Sequence, residues 1–220
     1  MKARLPLILV VLLGLTTTAC AGPFDLGEDE QSELLKMREE EKLARDVYLA
    51  LYDAWELPVF SNISTAEQRH MDALGRMIAR YGLEDPVVDD TPGVFSNPAF
   101  TDLYNQLVAS GSQSSLDALK VGALIEEMDI VDIRAALAVT THADLAGVYE
   151  NLMRGSRNHL RAFAAQIYAA GDTYEAQYLT QEEFDEIANS PWETGGNGNG
   201  HHGHARRQRN ERPRHAARRP

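Results

Sequence analysis

The chain has 220 residues, a formal net charge of −12 and 44% hydrophobic residues, enough for one domain with its own core. An acidic body excludes a fold built to grip nucleic acid, so no specific nucleic-acid partner is expected. A lone cysteine, Cys20, excludes an intramolecular disulfide, so the core must be stable without one.

Residues 1–21 read as an export signal, with Lys2 and Arg4, an apolar run over 5–15, then small residues. The run is too short to span a bilayer as a stable anchor. Thr17-Thr18-Ala19-Cys20 resembles a bacterial lipobox, which would put lipid on Cys20 and hold a periplasmic or cell-envelope lipoprotein to the membrane. Ala19-Cys20-Ala21 also fits the small-x-small rule of ordinary signal cleavage. Both readings export the protein. Residues 22–31 read as a linker and 32–192 as the folded unit.

Helix A is predicted over 32–55, with the stripe Leu34, Met37, Ala44, Tyr48, Leu51 and Trp55. Glu41 falls seven residues from Leu34 and from Tyr48, where a core residue belongs. Helix B is predicted over 65–81, with Ser64 or Thr65 as its N-cap and Gly82 as its stop. Its stripe is Ile63, Ala66, Met71, Leu74, Met77, Ile78 and Tyr81, and Glu67 and His70 lie inside it. A long connection over 82–114 contains Asp89-Asp90 and a short helix over 97–110.

Helix C is predicted over 115–138. Leu119, Ala123, Ile130, Ile133 and Leu137 line one face, Glu126 interrupts it, and Asp129 and Asp132 flank it. Helix D is predicted over 143–170, where Ser156 and His159 stand among Leu152, Leu160 and Phe163, and Gly171 closes it. A short helix follows, with Thr180 as N-cap and Glu183 as its capping-box partner. Residues 193–220 are a Gly/His/Arg-rich tail with no apolar period, expected to be disordered. From Gly195 onward the tail has seven Arg and one Glu, about +6, which leaves near −18 on the rest.

Each long helix thus turns at least one ligand-type side chain toward its own core. Isolated buried carboxylates cost several kcal/mol, and converging ones repel. A bound cation removes both penalties, and carboxylate plus imidazole suits iron or manganese and, less selectively, zinc. Glu67 and His70, at i and i+3, share a helix face and can approach one metal together. The seven histidines sharpen this reading. His201, His202, His204 and His215 lie in the tail, and His142 falls in a turn expected to face solvent. His70 and His159 remain on the apolar faces. The candidate ligands are Glu41, Glu67, His70, Glu126 and His159, with Asp129 as a sixth. The competing reading is a buried polar network of Glu41, His70, Glu126 and His159 with Arg45 as counter-ion.

Four segments carry a family resemblance: "REEEKLARDVYLALY" at 38–52, "FSNISTAEQRHMDAL" at 60–74, "GALIEEMDIVDI" at 122–133 and "LMRGSRNHLRAF" at 152–163. The chain resembles the prokaryotic family known as domain of unknown function 2202, within the ferritin-like superfamily. The first segment also resembles the rubrerythrin helix in which a ligand glutamate precedes x-x-Ala-Arg, which would place that ligand at Glu41. The resemblance implies an all-α, ferritin-like four-helix bundle with one long crossover between helices B and C. It implies a metal site, mono-iron, di-iron or manganese, without fixing a reaction; the function expected of such a centre in an exported protein is redox chemistry, oxidation of ferrous iron or reduction of peroxide or oxygen. A homodimer is among the assemblies such bundles form. One position departs. A second Glu-x-x-His is expected where Ser156-x-x-His159 stands, and Asp129, Glu127 or Glu150 would have to replace the missing carboxylate. If none does, only one metal is held well. The alternative function is a non-catalytic envelope scaffold or a metal-sequestering protein with a degenerate site.

Overall fold

The computed structural model describes residues 25–195; the export-signal reading with Cys20, and the tail beyond Gly195, lie outside them. Among the described residues there are six α-helices and no strand: α1 (Glu28–Trp55), α2 (Pro58–Arg80), α3 (Pro98–Gly111), α4 (Ser115–Val139), α5 (Ala143–Ala169) and α6 (Gln181–Asn189). None is long and apolar enough to cross a membrane.

Two hairpins make the bundle. Glu56, in the left-handed region at φ 52°, turns α1 into α2, and residues 140–142 turn α4 into α5. α1 also packs on α4 and α2 on α5; α3 bridges α1 and α4, and α6 lies on α5. Leu34, Leu51, Leu74, Ile130, Ile133, Leu160 and Ile167 are buried between the helices. Tyr48, Phe60 and Phe163 form an aromatic layer with ring centroids 5.4–6.1 Å apart. Gly122 leaves the space in which the Phe163 ring sits.

Two helices start earlier than their sequence signals suggest. α2 begins at Pro58, not at Thr65. Proline at the first helical position has its φ preset and no N–H to satisfy. Ser64 and Thr65 are interior, and their hydroxyls donate back to the Ser61 carbonyl instead of capping. α1 begins at Glu28, inside the stretch read as a linker. Its acidic first turn suits the helix dipole, and the Glu30 carboxylate accepts from the Gly27 N–H. Thr180 does cap α6, but the Glu183 side chain pairs with Arg134 rather than closing the box.

The crossover is tied to α1 by charge. Lys42, fully buried, donates to Asp46 and to the Thr91 carbonyl and lies over the Phe95 ring. Arg45 is held by Asp46, Asp90 and Gln68. It is therefore a clamp on the crossover, not the counter-ion of the inward-facing carboxylates.

His142 is not free in solvent either. Its Nδ1 lies 2.9 Å from Glu30 Oε1, an oxygen that also accepts from the Thr141 and His142 backbone N–H groups. Burial works against the Glu30 charge, but His142 and those N–H groups outweigh it and bring the pKa from 4.5 down to about 2. A carboxylate lowered on folding stabilises the protein above its unfolded pKa, and that contribution fades as pH falls from about 4.5 toward 2. The stability difference between the wild type and Glu30→Gln, measured by urea unfolding, is therefore expected to shrink by at most about 2 kcal/mol from pH 6 to pH 3.

Candidate metal centre

Glu41 on α1, Glu67 and His70 on α2, Glu126 on α4 and His159 on α5 converge at mid-bundle. Helical spacing does this: each residue replaces one apolar member of an inward stripe. Two triads result, Glu41–Glu67–His70 and Glu67–Glu126–His159, with ligand atoms in each within 4.8 Å of one another. Glu67 belongs to both. Its Oε2 lies 2.7 Å from His70 Nδ1 and its Oε1 lies 2.8 Å from His159 Nδ1. Glu41 Oε2 lies 3.1 Å from His70 Nδ1, and Glu126 Oε2 lies 3.5 Å from His159 Nδ1. The two imidazoles stack at 5.7 Å.

The three glutamates are buried to 1% exposure or less. Several of their atoms have no hydrogen-bond partner: Glu41 Oε1, Glu67 Oε1, Glu126 Oε2 and His159 Nδ1. Glu67 Oε1 and His159 Nδ1 are thus close without being hydrogen-bonded. Buried polar atoms without hydrogen bonds are costly to desolvate, and here only the histidine–carboxylate ion pairs offset that cost; a cation among the four atoms would serve in their place. The donor set, three carboxylates and two imidazoles, fits a hard-to-borderline transition metal.

Without a metal, protons do the compensating. Burial opposes charge on both histidines, but Glu41 and Glu67 raise His70 well above its ordinary value. Glu67 and Glu126 likewise raise His159 to about 10. Burial would raise Glu67, yet His159 and His70 outweigh it and hold it well below the usual carboxylate range. Burial pushes Glu41 up to about 8, with Glu67 adding to the shift and His70 opposing it. Glu126 is raised by burial and by Glu67. A metal entering here would have to displace protons.

Of the proposed replacements for the missing carboxylate, Asp129 is buried with Oδ2 unpartnered, but it belongs to neither triad. Burial and the neighbouring Glu126, Glu41 and Glu67 raise its pKa well above normal. Glu127 is engaged elsewhere, accepting the backbone N–H groups of Gln177, Tyr178 and Leu179. Glu150 is exposed. Ser156 donates to the Leu152 carbonyl inside its own helix.

Sequence reasoning missed two residues. Tyr48 belongs to the apolar stripe of helix A, yet its hydroxyl donates to Glu126 Oε1 at 2.5 Å. Gly155 is the surface on which His70 rests; a Cβ there would lie 2.5 Å from His70 Cε1 and 2.7 Å from Nε2. A glycine in mid-helix, one turn before His159, was the available signal.

Comparison with known proteins adds kinship. The model of the family described as "Uncharacterized protein domain (DUF2202)" matches residues 30–191. The uncharacterized protein MJ0754 of Methanocaldococcus jannaschii is 51% identical over 172 residues, covering 78% of this chain and 93% of the relative. The crystal structure titled as hypothetical protein MJ0754 superposes with a TM-score of 0.75 at 50% identity. That match covers 76% of this chain and 96% of the solved one.

Proposed function

Since the chain belongs to this family of uncharacterised DUF2202 domains, we propose that it is an exported ferritin-like metalloprotein whose bundle holds non-haem iron or manganese, oxidising ferrous iron or reducing peroxide. The observation that carries the reading is the set of buried ligand atoms without hydrogen bonds that converge around Glu67. Glu41 and His70 would hold one metal position and Glu126 and His159 the other, with Glu67 shared. When bound, the metal supplies one-electron chemistry by changing oxidation state. The chain's own residues orient and insulate. Tyr48 fixes the Glu126 carboxylate by its hydrogen bond. Gly155 seats His70 with Nδ1 toward the carboxylates. The aromatic layer of Tyr48, Phe60 and Phe163 keeps water from the centre on one side.

Ser156 favours a second reading, a site that holds metal without turnover. A ferrous-oxidation assay in air separates the two. The protein is expected to oxidise ferrous iron well above the buffer rate, and His70→Ala/His159→Ala to fall back to it. Stoichiometric binding with no rate enhancement makes the site a store.

A further inference from the structure

Asp129 is a buried carboxyl group that neither triad uses. It is 5% exposed, and its Oδ2 accepts no hydrogen bond. Glu40 is a second such group, 7% exposed, with Oε2 unpartnered. Helix register brings the two to one level. α1 and α4 run antiparallel, since Tyr48 meets Glu126 while Lys36 meets Asp132. Between those two links Asp129 falls level with Glu40 and Glu41.

On α4, Glu126, Asp129 and Asp132 follow at intervals of three, along one face, with about 4.5 Å of rise per step. Exposure grows along this row, from none at Glu126, through Asp129, to 28% of the Asp132 side chain. A file of carboxyl groups thus runs from solvent to the centre, with Glu40 facing it from α1. At its outer end Lys36 Nζ lies 3.1 Å from Glu40 Oε1 and 2.9 Å from Asp132 Oδ1, so an ammonium stands at the mouth. The Lys36 side chain is 39% exposed, and its flexible stem can carry that charge back to water. A second approach to the centre is the groove of about 350 Å³ beside His159. Pro58, Val59, Ile63, Ala162 and Trp192 line most of it, and apolar walls cannot replace the water that a dication sheds. Carboxylate oxygens can.

We propose that the seam between α1 and α4 is the route by which a divalent cation enters the bundle. Asp132 and Glu40 take the cation from solvent in place of the Lys36 ammonium, and Asp129 hands it to Glu41 and Glu126. The proposal rests on the metal-centre reading above.

The test uses Co²⁺ on the full chain, with the visible absorption of bound Co²⁺ giving the filling rate by stopped flow and equilibrium dialysis giving occupancy. His70→Ala/His159→Ala supplies the signal of metal bound outside the centre. At limiting Co²⁺, Asp129→Asn, which keeps the side chain's shape, is expected to fill the centre about tenfold more slowly, with wild-type occupancy at saturation. Asp132→Asn, partly exposed and so of little risk to the fold, is expected to slow filling as well, and Lys36→Ala to speed it. Trp192→Ala, which widens the groove, is expected to leave the rate unchanged. Equal rates in the wild type, Asp129→Asn and Asp132→Asn overturn the route and leave the metal centre standing, as does faster filling in Trp192→Ala. Lower occupancy of Asp129→Asn at saturation makes Asp129 a ligand of the centre and also overturns the route. If His70→Ala/His159→Ala binds as much Co²⁺ as the wild type, the bundle holds none, and both readings fall.

Discussion

Glu67→Ala is expected to empty the whole site, whereas Glu41→Ala or Glu126→Ala empties about half. The asymmetry follows from geometry: Glu67 is the member common to both triads, and its two oxygens face different histidines. Glu41 and Glu126 each serve one. Metal content by elemental analysis after loading and desalting gives the answer directly. Glu67→Gln keeps the volume but not the charge and should behave like Glu67→Ala. Stability without metal moves less. Losing Glu67 takes from His70 and His159 one of the two carboxylates that raise each, leaving Glu41 beside His70 and Glu126 beside His159, and imidazoles can shed protons where a lysine could not. The cost should stay near 1–3 kcal/mol, below that of breaking an ion pair unable to neutralise. Equal metal loss in all three single variants would mean the two halves fill as one unit.

The second large effect comes from two helical glycines of opposite meaning. A Cβ on Gly122 would lie 2.4–2.6 Å from three atoms of the Phe163 ring. That ring is fully buried against Tyr48 and Phe60 and has nowhere to go. Gly122→Ala is expected to cost about 1–3 kcal/mol or more by overpacking. This exceeds the roughly 1 kcal/mol that alanine gains over glycine in a helix, and the melting temperature should fall by several degrees. A Cβ on Gly155 would meet His70, which is partly exposed and can swing outward. Gly155→Ala should leave the melting temperature of the metal-free protein within about 2 °C. Its metal affinity should fall at least about tenfold, because His70 is displaced from its seat. A thermal melt with a metal titration on both variants checks the split.

The parts of this fold that were legible in the sequence are those governed by periodicity. The apolar stripes place all four long helices, and Thr180 marks the cap of α6. The same arithmetic brings Glu41, Glu67, His70, Glu126 and His159 together: a polar residue at an inward position on each of four helices has only the bundle axis to face. What was not legible depends on partners distant in sequence. His142 looked like a turn residue because Glu30, which holds it, is 112 positions away. Glu127 looked available until the backbone at 177–179 was placed over it. Arg45 looked like a counter-ion for Glu41, its i+4 neighbour, but the crossover brings Asp90 to it. The early start of α2 was obscured by local chemistry. Pro58 reads as a breaker, and Ser64 and Thr65 read as caps, although each is compatible with helix in the position it occupies.

The central claim is that a metal sits around Glu67. Anomalous X-ray diffraction from crystals grown with ferrous iron or manganese, recorded on both sides of that metal's absorption edge, tests it most directly. A peak bonded to Glu67 and to His70 Nδ1 or His159 Nδ1 is expected. No anomalous density in the core at saturating metal, with Glu67 still paired to two protonated imidazoles, would contradict it.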